Sequence, residues 1–143
     1  VSLAGSSLKL KDVLDWQLRR KLKILGRSEQ QIAKELPLLK KKIAKDDGIR
    51  RYMEYDPIPA VKDIRCPVFA LHGEKDTQVA AKEHLEVFSK NISPNIKVKT
   101  KSYPGLNHMF QPCLTGEANE YAQIEQTVSP EVLSDIITFI QEL

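Results

Sequence analysis

The sequence predicts an α/β domain: a three-layer α/β/α arrangement with a short parallel sheet between helices, carrying a helical insertion. Three observations lead there. The run Cys66-Pro67-Val68-Phe69-Ala70-Leu71-His72 is continuously apolar and closes at Gly73, the pattern of a strand covered on both faces of a parallel sheet. Beyond it, segments of strand pattern alternate with segments of helical pattern, which implies crossover units. Residues Leu10 to Arg51, in contrast, carry helical periodicity and no strand signal, so they read as a helical cap inserted between the first strand and the second.

The elements follow in order. Val1–Ala4 is a short apolar stretch ending at Gly5-Ser6-Ser7, the tail of a strand entering a turn. Leu10, Val13, Leu14, Leu18, Leu22 and Leu25 recur at three- and four-residue intervals, an amphipathic helix that Gly26 stops. Ser28 with Gln31 forms a capping-box pattern opening a second helix, which Pro37 should kink or restart, and Asp46-Asp47-Gly48 ends the region. Asp56-Pro57-Ile58-Pro59 is a stiff extended connection, because each proline pushes its predecessor toward extended geometry. Ala60–Ile64 supplies one or two helical turns. After the apolar strand, Val79–Asn91 places Ala81, Leu85 and Phe88 on one helical face. Asn95–Tyr103 alternates, with Lys97, Lys99 and Lys101 sharing one side, as suits an edge strand that must discourage further pairing. Finally, Ser129 and Pro130 open a helix whose core-facing stripe is Val132, Leu133, Ile136, Ile137 and Ile140.

Composition sets the outer bounds. A chain of 143 residues, 41% hydrophobic and 29% charged, has the make-up of an ordinary globular domain with room for one core. No apolar run approaches the roughly 18 residues needed to span a bilayer, so no membrane association is expected. Two cysteines, Cys66 and Cys113, are too few for a disulfide scaffold and read as free thiols. The net charge of +3 conceals an uneven distribution: Lys9–Arg51 holds fourteen Lys and Arg against six acids, whereas Ser102–Leu143 holds six acids and no Lys or Arg. A non-catalytic module gripping an anionic partner with that basic helical surface is therefore one reading. Its acids sit at helical spacings among the cations and no aromatic run accompanies them, so nucleic acid is not the expected ligand.

The chemistry gathers at two turns. In a parallel sheet, functional groups collect where strands end at the carboxyl edge. His72-Gly73-Glu74-Lys75-Asp76-Thr77-Gln78-Val79 follows one strand, and Tyr103-Pro104-Gly105-Leu106-Asn107-His108-Met109-Phe110 follows the next. Neighbouring strands lie about 4.8 Å apart, so Asp76 can reach His108. A carboxylate there would fix the ring's tautomer and stabilise the imidazolium formed when histidine deprotonates a hydroxyl. Singly, Asp76 could be a helix cap and His108 a structural residue; their joint position favours chemistry. His72 and His84 read as structural, without further ligands at metal spacing, and Glu74 and Lys75 as solvated turn charges. No metal and no cofactor are expected. A reactive thiol at Cys113, near His108, is a weaker alternative.

These two segments resemble the acid-bearing and histidine loops of α/β-hydrolases, specifically the prolyl-oligopeptidase and dienelactone-hydrolase-like branch. The Ser129-Pro130-Glu131-Val132 helix is similar to that branch's last helix, so the likeness covers about the C-terminal two thirds of the chain. What the resemblance implies is a partial α/β-hydrolase fold over residues 1–143, the C-terminal portion of such a domain, with residues 8–51 as a helical lid. It implies Asp76 as triad acid, His108 as triad base, and an ester or peptide of small size as substrate. The family's nucleophile is the Ser of a G-x-S-x-G elbow, which this chain lacks. The nearest match is Gly5-Ser6-Ser7-Leu8-Lys9, with Lys9 where the last Gly belongs. Ser7 is thus a possible nucleophile that topology disfavours: one strand, at Val68, lies between Ser7 and Asp76, one fewer than the family pattern. The expectation is a serine hydrolase fragment inactive by itself, able to form a homo-oligomer through its exposed first strand.

Overall fold

A computed structural model describes residues 1–143, and the chain divides into two compact units, Val1–Ser7 with Ile58–Leu143, and Leu8–Pro57. The first unit is built on a three-stranded parallel sheet of β1 (Ser2–Leu3), β2 (Val68–Gly73) and β3 (Val98–Tyr103), in the order β1-β2-β3. Ser2 is in register with Ala70, and Phe69 and Leu71 with Lys99 and Lys101. All six residues of β2 are buried, as its unbroken apolar pattern predicts. Its alternate side chains serve different clusters. Val68 and Ala70 join Val61, Phe88 and Ile92 from helices α4 (Ile58–Lys62) and α5 (Ala81–Asn91) and the residue after α5; Phe69 and Leu71 join Tyr103, Phe110, Val132 and Phe139, the last two from α6 (Pro130–Gln141).

Helix α6 departs from its expected orientation. Val132 and Phe139 are buried and Ile136 packs against them, but Leu133, Ile137 and Ile140 are about half exposed. The apolar stripe is wider than the face that meets the sheet. Six apolar residues in twelve spread over nearly half the helix circumference at about 100° per residue, and the sheet meets the side that carries Val132, Ile136 and Phe139. The lysines of β3 also behave differently from a bare solvated row. The strand is at the sheet edge, yet Lys99 lies over the Phe69 ring at 5.1 Å, and Lys101 meets Glu131 at 2.9 Å and Asp135 at 2.6 Å on α6. Asp135 also accepts a hydrogen bond from the Tyr103 hydroxyl at 2.7 Å. These contacts hold the Asp135 carboxyl below its usual range, with Lys101 the main cause. Exposed ion pairs contribute about 0.2–1 kcal/mol, whereas burial of one large apolar side chain contributes about 1.5–3 kcal/mol. Phe139 and Val132 therefore anchor α6, and Lys101 sets its register.

The second unit is helical: α1 (Leu10–Ile24), α2 (Glu29–Ile43) and α3 (Asp47–Glu54). Gly26 ends α1 at φ +75°, where the Arg27 N–H donates to Leu22 O at 3.0 Å and the Gly26 N–H to Lys23 O at 2.9 Å, a Schellman closure that glycine permits. The expected capping box is present, with the Ser28 N–H donating to Gln31 Oε1 at 2.8 Å. Leu22, Ile32 and Leu36 form the core of this unit. Pro37 was expected to interrupt α2, but one helix runs through it; proline removes a single N–H donor, and the flanking turns retain theirs. Nor does Asp46-Asp47-Gly48 end the helical region. The Asp46 carboxylate accepts the Ile49 N–H at 2.9 Å and starts α3. The Pro57-Ile58-Pro59 connection is likewise shorter than expected, since α4 begins at Ile58. Cations in this unit have acidic neighbours, among them Lys40 and Arg19 on Asp15 and Arg27 on Glu35. No helix is long and apolar enough to cross a membrane.

Candidate active site

Asp76 and His108 are brought together. Gly73 ends β2, and the turn after it carries Asp76, whose Oδ1 accepts the N–H groups of Gln78 at 2.7 Å and Val79 at 2.8 Å. Its other oxygen, Oδ2, lies 2.8 Å from His108 Nδ1. The capping role and the pairing role coexist, one on each oxygen. The Asp76 side chain is fully buried and that of His108 is about a quarter exposed. With an acceptor-only carboxylate facing Nδ1, that nitrogen carries the proton in the neutral ring. Its bond to Asp76 holds the imidazole above the ordinary histidine range, against the opposing effect of burial. His108 also lines an apolar cavity of about 290 Å³ with Leu3, Met109, Phe110, Val132 and Leu133.

The turns bearing the two residues are stitched together. The Glu74 N–H donates to Tyr103 O and the Lys75 N–H to Leu106 O, both at 3.0 Å. A Cβ on Gly73 would fall on the carbonyl oxygens of Leu106 and Asn107, so only glycine lets the two loops approach this closely. Glu74 is exposed, as expected of a solvated turn charge, with its Oε1 accepting from the Ser102 hydroxyl at 2.7 Å. The same expectation does not hold for Lys75, which is half-buried and whose Nζ donates to the carbonyls of Cys113 at 3.0 Å and Leu114 at 2.9 Å. Lysine at a turn commonly faces water, but the returning segment after the histidine loop presents two carbonyls within its reach. Thr77 joins this strap through its hydroxyl, which donates to Gly116 O at 3.0 Å.

Ser7 stands elsewhere in the hydrogen-bond network. It is buried, its hydroxyl donates to His84 O at 2.6 Å, and its N–H donates to His84 Nδ1 at 2.9 Å. The His84 ring thereby needs an unprotonated Nδ1, and burial pushes its pKa down to about 4. His72 stacks on it with ring centroids 6.0 Å apart, and its Nδ1 is buried without a partner. Burial lowers the His72 pKa as well. Both histidines occupy structural positions. Burial pushes the Cys113 thiol up, the direction opposite to that of a reactive thiolate. Asn107 and Gln111, unremarked in the sequence pattern, are the buried polar residues that shape the histidine loop; the Asn-x-x-x-Gln spacing around an imidazole is the one sequence signal of their role.

The dienelactone hydrolase family model matches residues 52–131, a span holding both Asp76 and His108. No curated protein and no solved structure matches the chain. With the family model covering more than half of its length and its sheet parallel and helix-flanked, the chain belongs to the dienelactone hydrolase family, a family of α/β-hydrolases.

Proposed function

We propose that this chain supplies the acid and the base of a serine hydrolase acting on small esters or peptides by acyl transfer, with Asp76 as acid and His108 as base. The observation that carries the reading is the 2.8 Å contact between Asp76 Oδ2 and His108 Nδ1 at the carboxyl edge of the sheet. With Nδ1–H held by the carboxylate, Nε2 is the base. It takes the proton of an attacking hydroxyl as the new C–O bond forms, then returns it to the leaving alcohol or amine as the scissile bond breaks. Water repeats the sequence on the acyl intermediate and restores the hydroxyl.

No G-x-S-x-G elbow occurs among the 143 residues, and the Ser7 hydroxyl is spent on His84 O. In this reading the nucleophile and the oxyanion donors are supplied from outside these residues, which alone are inactive. In this reading the fold is a partial α/β-hydrolase of three α/β/α layers, supported by the clusters on either side of β2, and residues 8–51 are its lid, supported by the compactness of the unit Leu8–Pro57. The surplus of cations in that unit also admits an anionic partner, but their pairing with Asp15, Glu29 and Glu35 favours the lid.

Incubation with a fluorophosphonate probe and a p-nitrophenyl ester tests the assignment. The expected result is neither labelling nor turnover from these residues, and, once the coding sequence upstream of Val1 is included, activity that Asp76→Asn lowers by roughly 10⁴-fold, as loss of the orienting acid does in triads. Labelling of Ser7 with turnover in the 143 residues would overturn the view that the nucleophile lies elsewhere. Full activity of Asp76→Asn in the longer protein would overturn the acid assignment.

A further inference from the structure

A histidine on a loop can meet a buried carboxylate only if the loop backbone is fixed to within a few tenths of an ångström. The fixing group is next to it. Asn107 is wholly buried, and its Oδ1 accepts the N–H groups of Met109 at 2.9 Å and Gln111 at 3.0 Å. Its Nδ2 donates to Gln111 Oε1 at 3.0 Å, and its own N–H donates to Gln111 O, also at 3.0 Å. Gln111 in turn donates from Nε2 to Gln126 O at 3.2 Å. With the Phe110 N–H donating to Asn107 O at 3.0 Å, five hydrogen bonds between Asn107 and the residues that follow it thus enclose His108. The enclosure forces Phe110 into the left-handed region at φ 58°, a conformation that costs a non-glycine residue energy. Its ring is held edge-on against Tyr103 at 6.1 Å in the core.

We infer that Asn107 is a positioning residue for His108: its carboxamide adds side-chain bonds to the loop's backbone pairing between Leu106 and Pro112 and sets the loop so that Nδ1 meets Asp76 Oδ2. Asn107 acts through the histidine and not on a reacting atom. Its importance to catalysis rests on the acid–base reading above, while its effect on the imidazole stands on geometry alone. Alanine at this position removes the acceptor of the Met109 and Gln111 N–H groups and the donor to Gln111 Oε1, leaving the strained Phe110 held only by its backbone bonds to Asn107 O and the Ser129 N–H and by its buried ring.

The test is a titration of the full chain by nuclear magnetic resonance, reading the His108 ring nitrogen shifts, which report pKa and tautomer. In the unsubstituted protein the expected result is a raised pKa and an Nδ1–H tautomer. In Asn107→Ala the pKa should fall toward the ordinary value of about 6.5 and the tautomer preference should be lost. Phe88→Ala, in the separate cluster formed with Val61 and Ile92, should destabilise the protein without moving either readout. A folded Asn107→Ala protein whose His108 keeps its pKa and tautomer overturns the inference alone. Absence of both signatures in the unsubstituted protein overturns the acid–base pair itself. Should Asn107→Ala not fold, hydrogen exchange on the unsubstituted chain decides: Met109 and Gln111 amides as protected as those of β2 support the inference, and exchange at open-loop rates overturns it.

Discussion

Asp76 divides its carboxylate between its own turn and His108: Oδ1 holds the N–H groups of Gln78 and Val79, and Oδ2 faces the imidazole Nδ1 at 2.8 Å. The acid is therefore fixed by the backbone whether or not the histidine is present, and the ring has a stationary partner. Such an arrangement suits an imidazole that must gain and lose a proton without its carboxylate swinging away.

The first prediction concerns that proton. The Asp76 bond raises the His108 pKa above its ordinary value, so the folded state binds the proton more tightly than the unfolded chain does. The resulting stabilisation is complete below about pH 6.5 and is lost as pH rises through the higher folded value. Urea unfolding midpoints of the unsubstituted protein and of His108→Gln should converge across that window. Midpoints that stay parallel from pH 5 to pH 9 would show that the pair contributes no linked stability.

His84 should act in the opposite sense. Its folded pKa is lowered to about 4 by burial, so the unfolded chain takes up a proton that the folded chain refuses. Its ring imposes no pH dependence above about 6.5, and it costs the fold increasing stability as pH falls from there to about 4. Protonation also ends acceptance of the Ser7 N–H. In His84→Gln, whose amide oxygen can take over that acceptance, acid unfolding should begin at lower pH than in the unsubstituted protein. An unchanged acid transition would place the cause elsewhere, His72 being next in line.

A third prediction is self-association. The strand β1 pairs on one side only, with β2, and Leu133, Ile137 and Ile140 remain about half exposed along α6. A free parallel edge with apolar residues nearby is a template for another strand. In this reading the 143 residues dimerise through that edge, and light scattering should give a mass that rises with concentration and falls in Ile137→Lys, whose exposed site tolerates the charge. A strict monomer over a wide concentration range would refute the proposal.

Much of this architecture was legible in the residues themselves. The strand at Val68–Gly73, the helices at Leu10, Ala81 and Pro130, and the pairing of Asp76 with His108 all announce themselves through periodicity, punctuation and position at strand ends. What escaped has physical causes. The orientation of α6 depends on which side of a broad apolar arc the sheet accepts, and it accepts the side of Val132 and Phe139, the latter outside the expected stripe. Lys75 looks solvated in the sequence because its two carbonyl partners lie 38 and 39 residues away. The start of α3 was hidden because Asp-Asp-Gly serves equally as a turn and as a helix cap, and the same residues encode both.

The pairing of Ser2 and Leu3 with Ala70 and Leu71 bears on the order in which the molecule assembles. Nearly seventy residues, a whole helical unit among them, must emerge and be gathered in before two short stretches of backbone can meet. Contacts so remote along the chain and so few in number form late and open early. In these 143 residues β1 should accordingly be the last strand to lock and the first to let go, with partial unfolding beginning there and not at β2.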